Sequence, residues 1–245
     1  MVYEGRCIPL AWRVYRANCA AAYPAHGQSR LIIGLLKQVR AGMPRGLKVR
    51  VLADALRRRA VRGIGTSPLL MRGLIAMEWR FLFRVTKQSK LILDDGSEVT
   101  FYEQVSAPGE HYNASGRVFK QRGRIPAHVR VLWAAHAQDK WALVTNDPTL
   151  SGWEYAQRMW LEEAFRDLKS FGWQLEAACL ESPPHIAHLL IVLVVAYACL
   201  LLWGHALEIA RATARPMKRK EGSSVRRWSL FREGWQAFLL AAPFP

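Results

Sequence analysis

The chain has 245 residues, enough for one large domain or for one domain carrying an insertion. Its 35 Lys plus Arg against 19 Asp plus Glu leave a formal charge of +16. A balance this basic argues for a polyanionic partner, nucleic acid first and an anionic membrane second. Cys7, Cys19, Cys179 and Cys199 are scattered, with no CxxC pair, which argues against a zinc knuckle and against a disulfide framework. A reducing compartment fits this usage. The opening "MVYEGRCIPLAWRV" carries charges where a signal peptide is apolar.

Taken in chain order, "CIPLAWRVY" (7–15) predicts a strand, followed by a turn-rich stretch through Pro24 and Gly27. "SRLIIGLLKQVRAGM" places Leu31, Ile32, Leu35, Leu36 and Val39 on one side of a helix. Pro44 and Gly46 end it. "LKVRVLAD" (47–54) alternates apolar and polar residues and predicts a strand with Asp54 at its C-terminal end. The next helix starts in "GTSPLLMRGLIAMEW", capped by Thr66 or Ser67 with Pro68 in its first turn. "RFLFRV" (80–85) is a further strand.

Residues 86–148 read as antiparallel β structure. "KLIL-DDGS-EVTFYEQV" is a hairpin pattern with Asp95-Gly96 in the turn, and Asn146-Asp147-Pro148 closes the region. Helical patterning resumes near Trp153 and lasts to about Ala212, divided by Pro183-Pro184. The expected division is 1–85, the first part of an α/β core; 86–148, the β insertion; 149–212, C-terminal helices; and 213–245, a basic tail. "HIAHLLIVLVVAYACLLLWGHALE" (185–208) is apolar enough for a marginal membrane span. The alternative, and the expectation here, is a helix buried on all sides within the domain. The Arg-rich stretch from Arg211 to Arg227 suits a positive-inside flank, which keeps the membrane alternative open.

Within "YAQRMWLEEAFRDLKS" (155–170), Tyr155, Arg158, Glu162 and Lys169 recur at steps of three, four and seven. A regular α-helix sets such residues on one face. Glu162 alone reads most simply as a salt-bridged surface residue, and Asp54 alone as a turn or cap acid. Together, a strand-end Asp and a helix Glu are oxygen donors suited to Mg²⁺ or Mn²⁺. A pair of such ions clamps the attacking and leaving oxygens of a phosphodiester displacement, normally with three carboxylates.

Tyr155-x2-Arg158-x3-Glu162-x6-Lys169, with the flanking "EEAFRDLK", resembles the Y-R-E-K signature of the bacterial insertion-sequence DDE transposases. "VLAD" followed by "RGIGTSPLLMRGLIAMEWRFLFRV" is similar to that family's motif around its second catalytic Asp. The resemblance covers roughly residues 3–205. It implies an α/β fold with an RNase H-like core interrupted by the antiparallel β insertion and followed by C-terminal helices. It implies DNA strand cleavage and transfer with Mg²⁺ or Mn²⁺ and no small-molecule cofactor. Asp54 and Glu162 are then the second and third catalytic carboxylates and metal ligands. Tyr155, Arg158, Lys169 and Arg62 are DNA contacts. By its place in "DKWALVT", Trp141 resembles an aromatic on which related enzymes stack a flipped base, and core packing is its alternative role. The implied partner is the double-stranded DNA of transposon ends, bound by a homodimer, in a cytoplasmic, nucleoid-associated protein.

The chain departs from the family pattern twice. "ALRRRAV" (55–61) separates Asp54 from Arg62-Gly63, which the family places next to each other. No candidate for the first catalytic Asp stands upstream of "YEGRCIPLAWRV", and Asp94 and Asp95 fall in the hairpin turn. The expectation is an N-terminally truncated transposase, lacking its DNA-recognition domain and first core strand. Such a chain keeps DNA affinity and has little cleavage activity. The competing expectations are a non-catalytic DNA-binding remnant and a membrane-associated basic protein.

Overall fold

The computed structural model describes residues 1–16, 27–54, 64–119, 124–171, 173–175, 179–214 and 229–241. The chain forms two compact units, Cys19–Arg158 and Met1–Asn18 with Met159–Pro245. The class is mixed α/β.

The first of these units is built on a seven-stranded sheet in the order β3-β4-β9-β8-β7-β5-β6. Its members are β3 (Arg50–Ala53), β4 (Arg80–Arg84), β5 (Lys90–Ile92), β6 (Glu98–Thr100), β7 (His111–Val118), β8 (Ile125–Leu132) and β9 (Trp141–Thr145). Only β3 and β4 run parallel. The helix between them supplies the crossover that parallel strands require. All other neighbours are antiparallel. β9 pairs with β4, so the stretch that reads as an insertion continues the same sheet.

"RFLFR" shows why these strands form. Phe81 and Phe83 point to one face and Leu82 to the other, all three fully buried, as the two-residue period dictates. The Phe81–Phe83 face carries α1 (Gln28–Ala41) and α2 (Pro68–Ala76), whose Leu70, Met71 and Leu74 are fully buried. α1 contributes Ile32, Ile33, Leu36 and Val39 to that core. Ser67 caps α2: its Oγ accepts from Leu70 N at 3.2 Å, and Pro68 follows in the first turn. A cap of this kind contributes about 1 kcal/mol. The expected hairpin is present. Gly96 sits at φ 85° between β5 and β6, and Asp95 Oδ1 accepts from Ser97 N at 2.8 Å.

The opposite face is smaller. Leu82, Leu132, Leu143, Leu150 and Tyr155 pack there, with Leu52 and Trp141 at the margin. Gly152, at φ 100°, lets the chain press onto this face, because a Cβ would come within 2.8 Å of Leu132 Cδ1.

The second unit joins both ends of the chain. A small hairpin of β1 (Val2–Tyr3) and β2 (Arg6–Cys7) accompanies α3 (Met159–Arg166), α4 (Pro183–Ala214) and α5 (Leu230–Ala241). Its core is Ile8, Ala164, Leu168, Tyr197, Leu200, Leu201, Leu230 and Phe231. At the centre lies a buried ionic group. Arg6 Nε donates to Asp167 Oδ2 at 2.8 Å, and Tyr197 donates to the same oxygen at 3.1 Å. Burial pushes the Asp167 carboxyl above its usual range, and Arg6 opposes that shift. α4 and α5 approach closely at glycines. A Cβ on Gly204 would collide with the Leu230 carbonyl, and one on Gly234 with the Leu200 carbonyl.

Three expectations need correction. Residues 8–16 form no strand: Pro9 cannot donate to a ladder, and β2 ends at Cys7. The helix at 155–170 is not regular. It runs as a 3₁₀ segment (Trp153–Arg158), then α3, then a π segment (Asp167–Phe171). Nor is α4 buried all round. Leu193, Tyr197, Leu200 and Leu201 are buried, while Ile191, Val192, Val195 and Leu202 are more than half exposed.

Candidate nucleic-acid and phosphoryl-transfer site

Asp54 follows directly on β3, as the alternation in "LKVRVLAD" predicts. Leu52 pairs with Leu82 and Ala53 with Phe83 in the parallel ladder. The next step puts Asp54 opposite Arg84, on the face of Leu52, Leu82 and Leu143.

The 3₁₀ segment Trp153–Arg158 belongs to the same unit. Three residues make one turn of a 3₁₀-helix, so Tyr155 and Arg158 eclipse each other. Both meet the end of β3. Arg158 Nη2 lies 3.0 Å from Asp54 Oδ2, with the two side chains 25% and 14% exposed. Tyr155 is buried, and burial followed by the Asp54 carboxylate pushes its hydroxyl far above the ordinary range. The positive charges of Arg158 and Arg84 oppose this shift and do not overcome it. Tyr155 therefore remains a protonated hydroxyl, a hydrogen-bond donor, throughout the neutral range.

Trp141 heads β9 and is half-buried. Its ring meets Tyr155 edge-on at 5.3 Å and Trp153 at 6.1 Å. Edge-to-face contacts of this kind fix ring orientation. Trp141 thus lies in contact with Tyr155 beside the Asp54 cluster.

Motif spacing does not single out Arg84. It bridges outward: its Nη2 lies 3.1 Å from Asp139 Oδ2, and Asp139 also accepts from Tyr102 at 2.5 Å and from Lys87 at 3.2 Å. The signal that finds it is register. A cation one residue after "RFLF" must stand beside a residue that ends the neighbouring parallel strand.

Glu162 is half-buried in the first turn of α3, and Lys169 is exposed in the π segment; both belong to the second unit. Arg62 lies outside the described residues. Asp54 and Glu162 offer the carboxylate oxygens that hard cations take. Among the described residues, no three His, Cys, Asp or Glu side chains gather into a group able to hold a metal. The donor type suits Mg²⁺ or Mn²⁺, and the donors described fall short of three.

No family model matches the chain, and no curated protein matches it.

Proposed function

We propose that this chain is a DNA-binding phosphoryl-transfer protein of the DDE transposase class, built on an RNase H-like core. One observation carries the reading. Tyr155 and Arg158, two members of the signature, adjoin Asp54 from about a hundred positions away in the sequence. The resemblance assigns these three residues to one site, and their adjacency supports that assignment. The charge of +16 supports a nucleic-acid partner.

In this reading Arg158 holds the Asp54 carboxylate until a phosphate arrives, then shares its fork of donors with the phosphate oxygens. Tyr155 donates its hydroxyl to the same backbone, and Lys169 and Arg62 add sequence-independent phosphate contacts. Asp54 and Glu162 are the carboxylates that Mg²⁺ or Mn²⁺ would use. The ions would supply Lewis-acid stabilisation of the displaced oxygens. Groups that act as a unit fail together when one is removed, so the loss of either carboxylate predicts the loss of metal binding at both. The partner is the duplex DNA of transposon ends, bound by a homodimer, and the setting is the nucleoid of the cytoplasm.

Iron-directed cleavage tests this without requiring turnover. Fe²⁺ with ascorbate cuts a polypeptide where the ion is held. The expected cuts lie near residues 54 and 162, and Asp54→Asn or Glu162→Gln removes both sets. Cutting at neither place, or cuts indifferent to both substitutions, overturns the assignment.

One observation favours a second reading. The stretch Pro183–Arg211 is long and apolar enough to cross a membrane, and 22% of its most apolar window is buried. A membrane-associated basic protein would resist extraction at high salt and at alkaline pH. The transposase reading expects release under both conditions.

A further inference from the structure

A groove of about 710 Å³ opens at the other end of β3, lined by the last turn of α1, the loop after it and residues 77–79. Four cations line it: Lys37, Arg40, Arg45 and Lys48. All four are exposed, and none joins an ion pair among the described residues. Glu78 is the one acid in the lining. The buried Trp79 forms part of the wall.

The position of Arg40 has a local explanation, since a cation in the last turn of a helix is favoured by the helix dipole. That explanation does not extend to Arg45 and Lys48, which sit in the connecting loop. Four cations in a concavity with an apolar wall concentrate positive potential, because low-dielectric walls focus field lines. An excess of three charges in one groove is what a phosphate backbone needs and what a salt-bridged, solvated surface lacks.

We propose that this groove is a second DNA-backbone site, separate from the Asp54 cluster. The parallel strands β3 and β4 begin at the groove and end at the cluster. From Lys48 to Asp54 are six residues, about 20 Å of extended chain at roughly 3.3 Å per residue. The groove wall belongs to the α1–α2 face of the sheet and the Asp54 cluster to the opposite face, so the two sites take phosphate independently. The choice of DNA among polyanions rests on the proposed function. The groove's affinity for a phosphate backbone does not.

The test is salt-dependent anisotropy with a random-sequence duplex of about 30 base pairs. The slope of log K against log salt falls by about 0.9 for each phosphate that the protein no longer neutralises. The groove variant combines Lys37→Gln, Arg40→Gln, Arg45→Gln and Lys48→Gln. The control combines Arg30→Gln, Arg72→Gln, Arg117→Gln and Arg124→Gln, four exposed cations outside the groove. The groove variant should lower the slope by about 2 to 4 and the control by less than about 1. Equal effects, or no effect of the groove variant with circular dichroism unchanged, overturn the proposal. Asp54→Asn should leave the groove contribution in place. Absence of iron-directed cuts in the unsubstituted protein, with an intact groove effect, would remove the transposase reading and spare this one.

Discussion

Arg6→Ala should destabilise the unit that contains both chain ends by about 3–5 kcal/mol, because it leaves the buried Asp167 carboxylate without its cation. The side chains of Arg6 and Asp167 are 14% and 9% exposed, so water can do little to replace the missing guanidinium. The effect should depend on pH. Burial already holds the folded Asp167 above the usual carboxylate value, with Arg6 working against it. Removing Arg6 raises the folded value further. An acid whose pKa is higher when folded loses stability as pH rises from its unfolded value through its folded one. The deficit of Arg6→Ala should therefore be small near pH 4 and should grow towards pH 7. Hydrogen exchange of α3 and α4 across that range reads it out. A pH-independent loss below about 1 kcal/mol would mean that the pair is screened like a surface bridge.

Gly204→Ala and Gly234→Ala should each weaken the α4–α5 packing by about 1–3 kcal/mol. An exposed helical Gly→Ala change normally goes the other way, gaining up to about 1 kcal/mol. The sign is thus diagnostic. The added methyl would meet a backbone carbonyl of the facing helix, which cannot rotate away as a side chain can. Loss of amide protection over Leu230–Ala241, with the sheet unit unchanged, is the expected record. Stabilisation by either substitution would show that the helices do not touch there.

The features legible in the sequence share a local cause. Asp95-Gly96 makes a hairpin because the turn chemistry lies in adjacent residues, and Ser67-Pro68 starts a helix for the same reason. The strand that ends just before Asp54 follows from two-residue alternation over a short run. The adjacency of Tyr155 and Arg158 to Asp54 agrees with the resemblance, which groups the three residues.

What stays hidden depends on distant partners. The spacing of Tyr155, Arg158, Glu162 and Lys169 assumes one uniform helix, and nothing local announces a change to 3₁₀ and then to π geometry. The apolarity of α4 is plain in its composition, but burial depends on what packs beside it. Gly204 reads as an interruption until Gly234 is set against it. Arg6 and Asp167 are ordinary charges until the fold removes both from water. Arg84 needs the parallel register before its position beside Asp54 has meaning.

The pairing of Arg6 with Asp167 also sets an order of events during synthesis. The two residues are 161 positions apart. At about 5–20 residues per second, Arg6 waits on the order of ten to thirty seconds for its partner to be made. The residues of Cys19–Arg158 are all made before Asp167, so the sheet can assemble while the N-terminal hairpin still lacks its core. A chain that ends before residue 167 would keep every strand of the sheet and leave the N-terminal hairpin without its core. Proteases should distinguish it from the full chain by cutting within the first sixteen residues.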